Sequence, residues 1–144
     1  MKIKKSERGQ SLVELAISLV VLLYLLSGVV EFGIAFFQFI QLRDAAQEGA
    51  LYGSIHPTET ANIETRVRGA SSSPIDLTAT SGERAVTVTV TVTGAACAGG
   101  GLQVDVAFTH HIFMPFIPAL IGTNTIPLTG SVTDTILQPA CPLP

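Results

Sequence analysis

The stretch LAISLVVLLYLLSGVV, residues 15–30, contains no charged side chain and decides the fold. With its apolar neighbours it extends over residues 12–40, about 29 positions interrupted mainly by Glu14, Glu31 and Gln38. A helix needs about 20 apolar residues to cross a bilayer. The stretch therefore predicts a helix that crosses a membrane and continues beyond it.

The composition of the whole chain agrees with this concentration of apolar residues. Only 13% of the 144 residues are charged, about half of what a soluble globular chain carries, and the net charge is −3. This composition excludes a disordered chain, and without a basic excess to neutralise phosphates no nucleic-acid partner is expected. It also disfavours a fully soluble enzyme.

The residues before the apolar stretch predict its orientation. Residues 1–9, MKIKKSERG, carry four basic residues and one acidic residue. No A-x-A-like cleavage site follows the stretch, which is also longer than the h-region of a secretory signal, about 7–15 residues. We therefore expect a retained anchor with a cytoplasmic N-terminus and an exported C-terminal part. The alternative, a buried helix of a soluble protein, requires more chain than is available to cover it.

Residues 41–53, QLRDAAQEGALYG, predict that the helix continues outside the membrane. Small and apolar residues recur there at spacings of three and four, with polar residues between them: Leu42, Ala45, Ala46, Gly49 and Tyr52. Alanine and glycine on this stripe would let another element approach closely. Gly53 and Pro57 mark the end of the helix. A helix from about Ser11 to Tyr52 would be on the order of 60 Å long.

The remainder of the chain predicts a small β-sheet. Residues 85–93, AVTVTVTVT, and 102–111, LQVDVAFTHH, alternate strictly and should pair as a hairpin. A third strand is expected within 125–137, a short helix over 58–70, and a crossing loop or edge at PFIPAL, 115–120. The predicted fold class is α+β, with a three- or four-stranded antiparallel sheet whose valine face is covered by the stripe of the long helix.

The start of the apolar stretch resembles the class III signal of type IV pilins and pseudopilins. Gly9 follows the basic leader, and Glu14 is the fifth residue after it. The resemblance implies that a prepilin peptidase cuts after Gly9, that Gln10 becomes the N-terminus, and that its α-amine pairs with Glu14 of a neighbouring subunit during assembly. Gln10 departs from the aromatic residue that many pilins have there. Without this resemblance, Glu14 is a flank residue that reaches the headgroups, and Glu31 is the outer boundary of the span.

A narrower resemblance extends over the first third of the chain. Residues 8–33 and 41–53 are similar to the TadE-like family of the tight-adherence (Flp) pilus system, through Arg8–Gly9, Val13–Glu14, Glu31–Gly33 and Ala45–Ala50. A weaker similarity covers 104–133. The resemblance implies a pseudopilin or minor pilin, with other pilin subunits, a prepilin peptidase and an inner-membrane assembly platform as partners.

No catalytic, metal or cofactor site is predicted. His110 and His111 are adjacent in a predicted strand, so their rings should point to opposite faces and could not easily share a metal; a satisfied or exposed histidine is expected at each. No motif spacing typical of a catalytic or phosphate-binding site is present. Cys97 and Cys141 lie in the exported part, where a disulfide is favoured and two free thiols are the alternative.

The predicted organisation has three parts. Residues 1–9 form a cytoplasmic leader, 10–53 the transmembrane helix and its amphipathic continuation, and 54–144 an exported α+β domain. The predicted protein is a non-catalytic, single-pass subunit of the cytoplasmic membrane that enters a tight-adherence or type IV-like pilus or its assembly machine. The alternatives are a single-span envelope protein with a β-rich binding or scaffold domain, and a membrane-tethered enzyme.

Overall fold

The computed structural model describes residues 8–115 and 117–142. Its elements are α1 (Arg8–Gly53), α2 (Thr60–Gly69), β1 (Val86–Thr93), β2 (Gly101–His111), α3 (Ile117–Ile121) and β3 (Thr125–Thr135). The strands form an antiparallel sheet in the order β1-β2-β3. The predicted α+β class, a long N-terminal helix with a small antiparallel sheet, is confirmed.

Helix α1 is continuous over 46 residues, about 69 Å at 1.5 Å per residue. Its first half is bare, because no residue from Gly9 to Val30 is buried. In its second half, pairs of buried and exposed residues alternate from Gln41 to Ala50, as expected for a helix with one covered face. The two halves therefore have different surroundings, and only the second buries residues against the rest of the chain.

The sheet lies on this covered face. Every second residue of the central strand β2 is buried against α1: Leu102, Val104, Val106 and Phe108. In β1 the threonines are exposed, while the valines point to the core formed with Leu42, Ala45, Ala46 and Ala50 of the helix. The predicted covering of the valine face by the stripe of α1 is present in the structure.

Gly130 marks the closest approach of strand and helix. A Cβ atom at this position would lie 2.5 Å from the backbone carbon of Leu42 and 2.5 Å from the backbone nitrogen of Arg43. Backbone atoms inside a helix cannot move aside as the end of a side chain can. The absence of a side chain at Gly130 therefore allows β3 to contact α1 directly.

We expect Gly130→Ala to lower the free energy of unfolding by about 1–3 kcal/mol, because the added methyl group forces strand and helix apart. Gly101→Ala is the matched control, since a Cβ atom there would meet its nearest neighbour, Thr93 Cβ, at an ordinary 3.6 Å. Urea unfolding of the full chain in mild detergent, followed by circular dichroism, measures both. If both variants lost the same free energy of unfolding, the close approach of β3 to α1 at Gly130 would not be what requires glycine there.

Helix α2 closes one side of the core, near the predicted position 58–70. Its buried residues Ile63 and Val67 pack on Gly49 of α1, where a Cβ atom would overlap Val67. The Glu59 carboxylate, just before α2, accepts hydrogen bonds of 2.7 Å from the Asn62 amide and from the Tyr52 hydroxyl. These two hydrogen bonds, of which the one from Asn62 has the larger effect, hold the pKa of Glu59 below its usual value.

The C-terminal segment is held at the far end of α1. Cys97 and Cys141 form a disulfide, the favoured of the two alternatives that the sequence left open. The Leu137 N–H donates to the carbonyl oxygen of Ser54 over 2.7 Å, and Ile136 is buried. The disulfide and these contacts fix the segment after β3 against the loop between β1 and β2.

The prediction of a loop or edge at PFIPAL was wrong in part. Residues Ile117–Ile121 form the one-turn helix α3. Pro118 stands in the first turn, where a helix does not need the missing N–H group. The turn ends at Gly122, which has a positive φ of 77° and donates its N–H to the Pro118 carbonyl over 2.9 Å.

Candidate functional site

A buried carboxylate joins α1 to the sheet at the point where the bare half of the helix ends. Glu31 is only 4% exposed. Its Oε1 accepts a hydrogen bond from the backbone N–H of Phe113 (3.1 Å), and its Oε2 accepts one from that of Met114 (3.0 Å). Nε2 of His110, at the end of β2, lies 2.7 Å from Glu31 Oε1. The carboxylate thus holds three donors from the end of β2 and the start of the following loop.

The second ring nitrogen of His110 is also engaged. Its Nδ1 lies 2.6 Å from Oε1 of Gln38, two helical turns after Glu31 on the same face of α1. When the imidazole carries a proton, both ring nitrogens donate, and the ring forms a charge-assisted pair with Glu31. We call Glu31, Gln38 and His110 the junction cluster. Glu31 and His110 are buried, and Gln38 is half-buried.

The other histidines lie apart from this cluster. The His111 ring points to the opposite face of β2, as predicted, and its Nε2 is 3.2 Å from the Glu83 carbonyl oxygen. The ring of His56 stacks on Tyr52 with centroids 4.8 Å apart. Within residues 8–115 and 117–142, no group of three or more histidine, cysteine or carboxylate side chains is placed to hold a metal ion.

The bare half of α1 has the length and the surface of a membrane span. The 22 residues from Gly9 to Val30 extend about 33 Å, close to the roughly 30 Å of a bilayer core. Most of their side chains are apolar and exposed. Over the described residues, α1 is the one helix long and apolar enough to cross a membrane.

Exposed aromatic residues continue along α1 beyond Glu31. Phe32 is 70% exposed, and its ring stacks on that of Phe36 with centroids 6.0 Å apart. Phe37 is 66% exposed. Exposed apolar patches such as this group of phenylalanines are typical of sites where another protein or a membrane binds.

Comparison with known families identifies the segment that carries these features. Residues 9–51 match the model of the TadE-like protein family. We call residues 9–51 the TadE-like segment. The predicted resemblance is confirmed over that range, and the TadE-like family is a structural, pilus-associated family. No curated protein and no solved structure matches the chain.

The TadE-like segment contains both carboxylates that the sequence singled out, in different surroundings. Glu31 is buried in the junction cluster, whereas Glu14 is exposed on the bare half and has no partner among the described residues. Gly9 and Gln10 are exposed at the start of α1. The Cys97–Cys141 disulfide is at the opposite end of the molecule, so the structure does not bring these predicted site residues together.

The junction cluster was not predicted from the sequence, which gave Glu31 the role of an outer boundary. One available signal was the register of β2. The strict alternation of residues 102–111 places Leu102, Val104, Val106 and Phe108 on one face of the strand, and it places His110 on that same face. A buried histidine needs partners for its ring nitrogens, and α1, the covering element, offered Glu31 and Gln38.

Proposed function

We propose that this chain is a pilin-like structural subunit, a pseudopilin or minor pilin, that assembles through α1 into a tight-adherence pilus or its assembly machine. The observation that carries the proposal is the division of the TadE-like segment into a bare half and a covered half. A helix that runs about 33 Å without a buried residue needs lipid or other helices around it. A pilus subunit meets both, first in the membrane and then in the filament.

The proposed location is the cytoplasmic membrane, with a single span, the N-terminus inside and the sheet outside. The basic residues 1–9 favour this orientation, because cytoplasmic flanks carry an excess of lysine and arginine. The disulfide between Cys97 and Cys141 also favours an exported sheet, since disulfides persist outside the reducing cytoplasm. In the assembled state the same subunit would lie in an extracellular pilus.

The proposed partners follow from the N-terminal end. A prepilin peptidase would cut after Gly9 on the cytoplasmic side, where glycine allows the backbone to enter a tight cleft. The α-amine of Gln10 would then pair with Glu14 of a neighbouring pilin subunit, at an inner-membrane assembly platform. Glu14 is exposed, so it is free to meet a partner from another chain. No catalysis is assigned to this chain.

Processing is tested by the intact mass of the protein purified from membranes of its native host. We expect a chain that begins at Gln10, and we expect Gly9→Leu to keep residues 1–9 because the larger side chain blocks entry to the peptidase cleft. A wild-type chain that retains its leader would contradict processing. It would favour the alternative, a single-span envelope protein whose sheet acts as a binding or scaffold module.

A further inference from the structure

The loop between β2 and β3 carries an exposed apolar surface at the membrane end of the sheet. Residues 112–122 of this loop, IFMPFIPALIG, contain no charged side chain. Phe113 is 82% exposed, and Leu120 of α3 is 78% exposed. We call residues 112–115 and 117–122, the part of this loop that the structure describes, the apolar tip. The Ile112 N–H donates to the Asn124 carbonyl over 2.9 Å and so closes the base of the loop.

The apolar tip extends along α1 past the junction cluster, toward the bare half of the helix. Ile117 and Leu120 line a groove with Tyr24 and Gly28. A Cβ atom on Gly28 would lie 4.0 Å from Ile117 Cδ1. Tyr24 precedes Glu31 by seven residues, about 10 Å along the helix axis. The tip therefore reaches a level that, in our proposed function, lies within the membrane.

We propose that the apolar tip inserts into the outer leaflet of the membrane that α1 spans, with Phe113 and Leu120 in lipid. The proposal rests on the proposed anchoring of α1. If the span runs from the start of α1 to about Glu31, a depth of about 10 Å below Glu31 matches the depth to which apolar faces enter the boundary of headgroups and acyl chains.

Charge and hydrogen bonding favour lipid as the occupant. The tip presents apolar side chains without a charged residue. The N–H groups of Phe113 and Met114 are already satisfied by Glu31, and that of Ile112 by Asn124. Backbone groups that enter lipid need such internal partners. In this arrangement the junction cluster lies at the membrane surface, and its Glu31 accepts hydrogen bonds from the apolar tip that enters the membrane. It holds the sheet in one orientation relative to the bilayer.

Tryptophan fluorescence can test this insertion, because the chain contains no tryptophan. Phe113→Trp and Leu120→Trp place probes in the tip on side chains that make few contacts. Val20→Trp places a probe in the bare half of α1. Leu137→Trp is the control for a probe in water. Leu137 is 64% exposed, and its backbone N–H donates a hydrogen bond to Ser54, which lies about 34 Å beyond Glu31 along the axis of α1.

Each full-length variant is reconstituted in phosphatidylcholine–phosphatidylglycerol vesicles at high dilution. Quenching is measured with lipids that carry a nitroxide near the headgroup and with aqueous iodide. We expect both tip probes to show blue-shifted emission, quenching by the nitroxide lipid, and iodide quenching about threefold or more weaker than that of the Leu137→Trp probe. Resistance to protease equal to that of the wild type shows that the variants are folded.

The other outcomes separate the two proposals. If the Val20→Trp probe is quenched by lipid but the tip probes are open to iodide, the insertion of the tip is wrong and the anchoring stands. If the Val20→Trp probe is itself open to iodide, the anchoring fails. Tip probes that are shielded only at high protein-to-lipid ratio would show that a second copy of the chain, and not lipid, covers the tip, which overturns the proposal.

Discussion

Glu31→Ala is expected to lower the free energy of unfolding by about 3–5 kcal/mol, because it leaves the buried His110 ring and two partly buried backbone N–H groups without their acceptor. The imidazole of His110 would lose its partner at Nε2, and the N–H groups of Phe113 and Met114 would lose theirs. His110 is almost fully buried, so water cannot replace the carboxylate without opening the junction. We expect the end of β2 to separate from α1 before the rest of the sheet unfolds.

Urea unfolding of the full chain in mild detergent gives the size of this effect, and amide hydrogen exchange at Phe113 and Met114 gives its location. Glu48→Ala is the matched control, since Glu48 is an exposed carboxylate on the covered half of the same helix. Glu31→Gln should be intermediate, because the amide keeps one acceptor oxygen. If Glu31→Ala costs no more than Glu48→Ala, the junction cluster does not hold the sheet.

Patterns within single elements predicted most of the fold. A long uncharged stretch predicted α1, and strict alternation predicted β1 and β2, because these signals depend only on neighbours along the chain. The stripe from Leu42 to Tyr52 predicted which face of α1 the sheet covers. Gly49 on that stripe was expected to allow close approach, and it contacts α2 through Val67.

Features that join distant parts of the chain were predicted less well. The pair of Glu31 and His110 links residues 79 positions apart, and no local pattern specifies such a pair. The approach of Gly130 to Leu42 is also fixed only when the sheet is docked. Helix α3 was missed because Pro118 suggested a break, although proline fits the first turn of a helix.

The bare half of α1 covers only part of the apolar stretch of the sequence. The sequence counted about 29 apolar positions, through Ile40, as one stretch. The bare half of α1 is shorter, and the aromatic residues beyond Glu31 stand beside the sheet instead. We therefore place Phe32 and Phe36 outside the bilayer core in the proposed arrangement. There they would be available to the neighbouring subunits of a pilus.

Glu14→Ala tests the central claim that α1 assembles beside other helices of its kind. A carboxylate in hydrocarbon costs about 2.5–3.5 kcal/mol, and pairing with the α-amine of a neighbouring subunit would recover this cost only in the assembled state. Without Glu14 that gain disappears, which corresponds to a roughly hundredfold loss in the equilibrium for incorporation. Insertion into the membrane should be unchanged, because the anchor becomes more apolar.

The measurement is the ratio of the tagged chain in sheared, purified pili or the isolated assembly complex to the chain in the membrane fraction of the native host. Leu15→Ala is the matched control, since Leu15 is the next residue and is also exposed on the bare half of α1. Our account predicts normal membrane levels for both variants and loss of incorporation for Glu14→Ala alone. Normal incorporation of Glu14→Ala would contradict it.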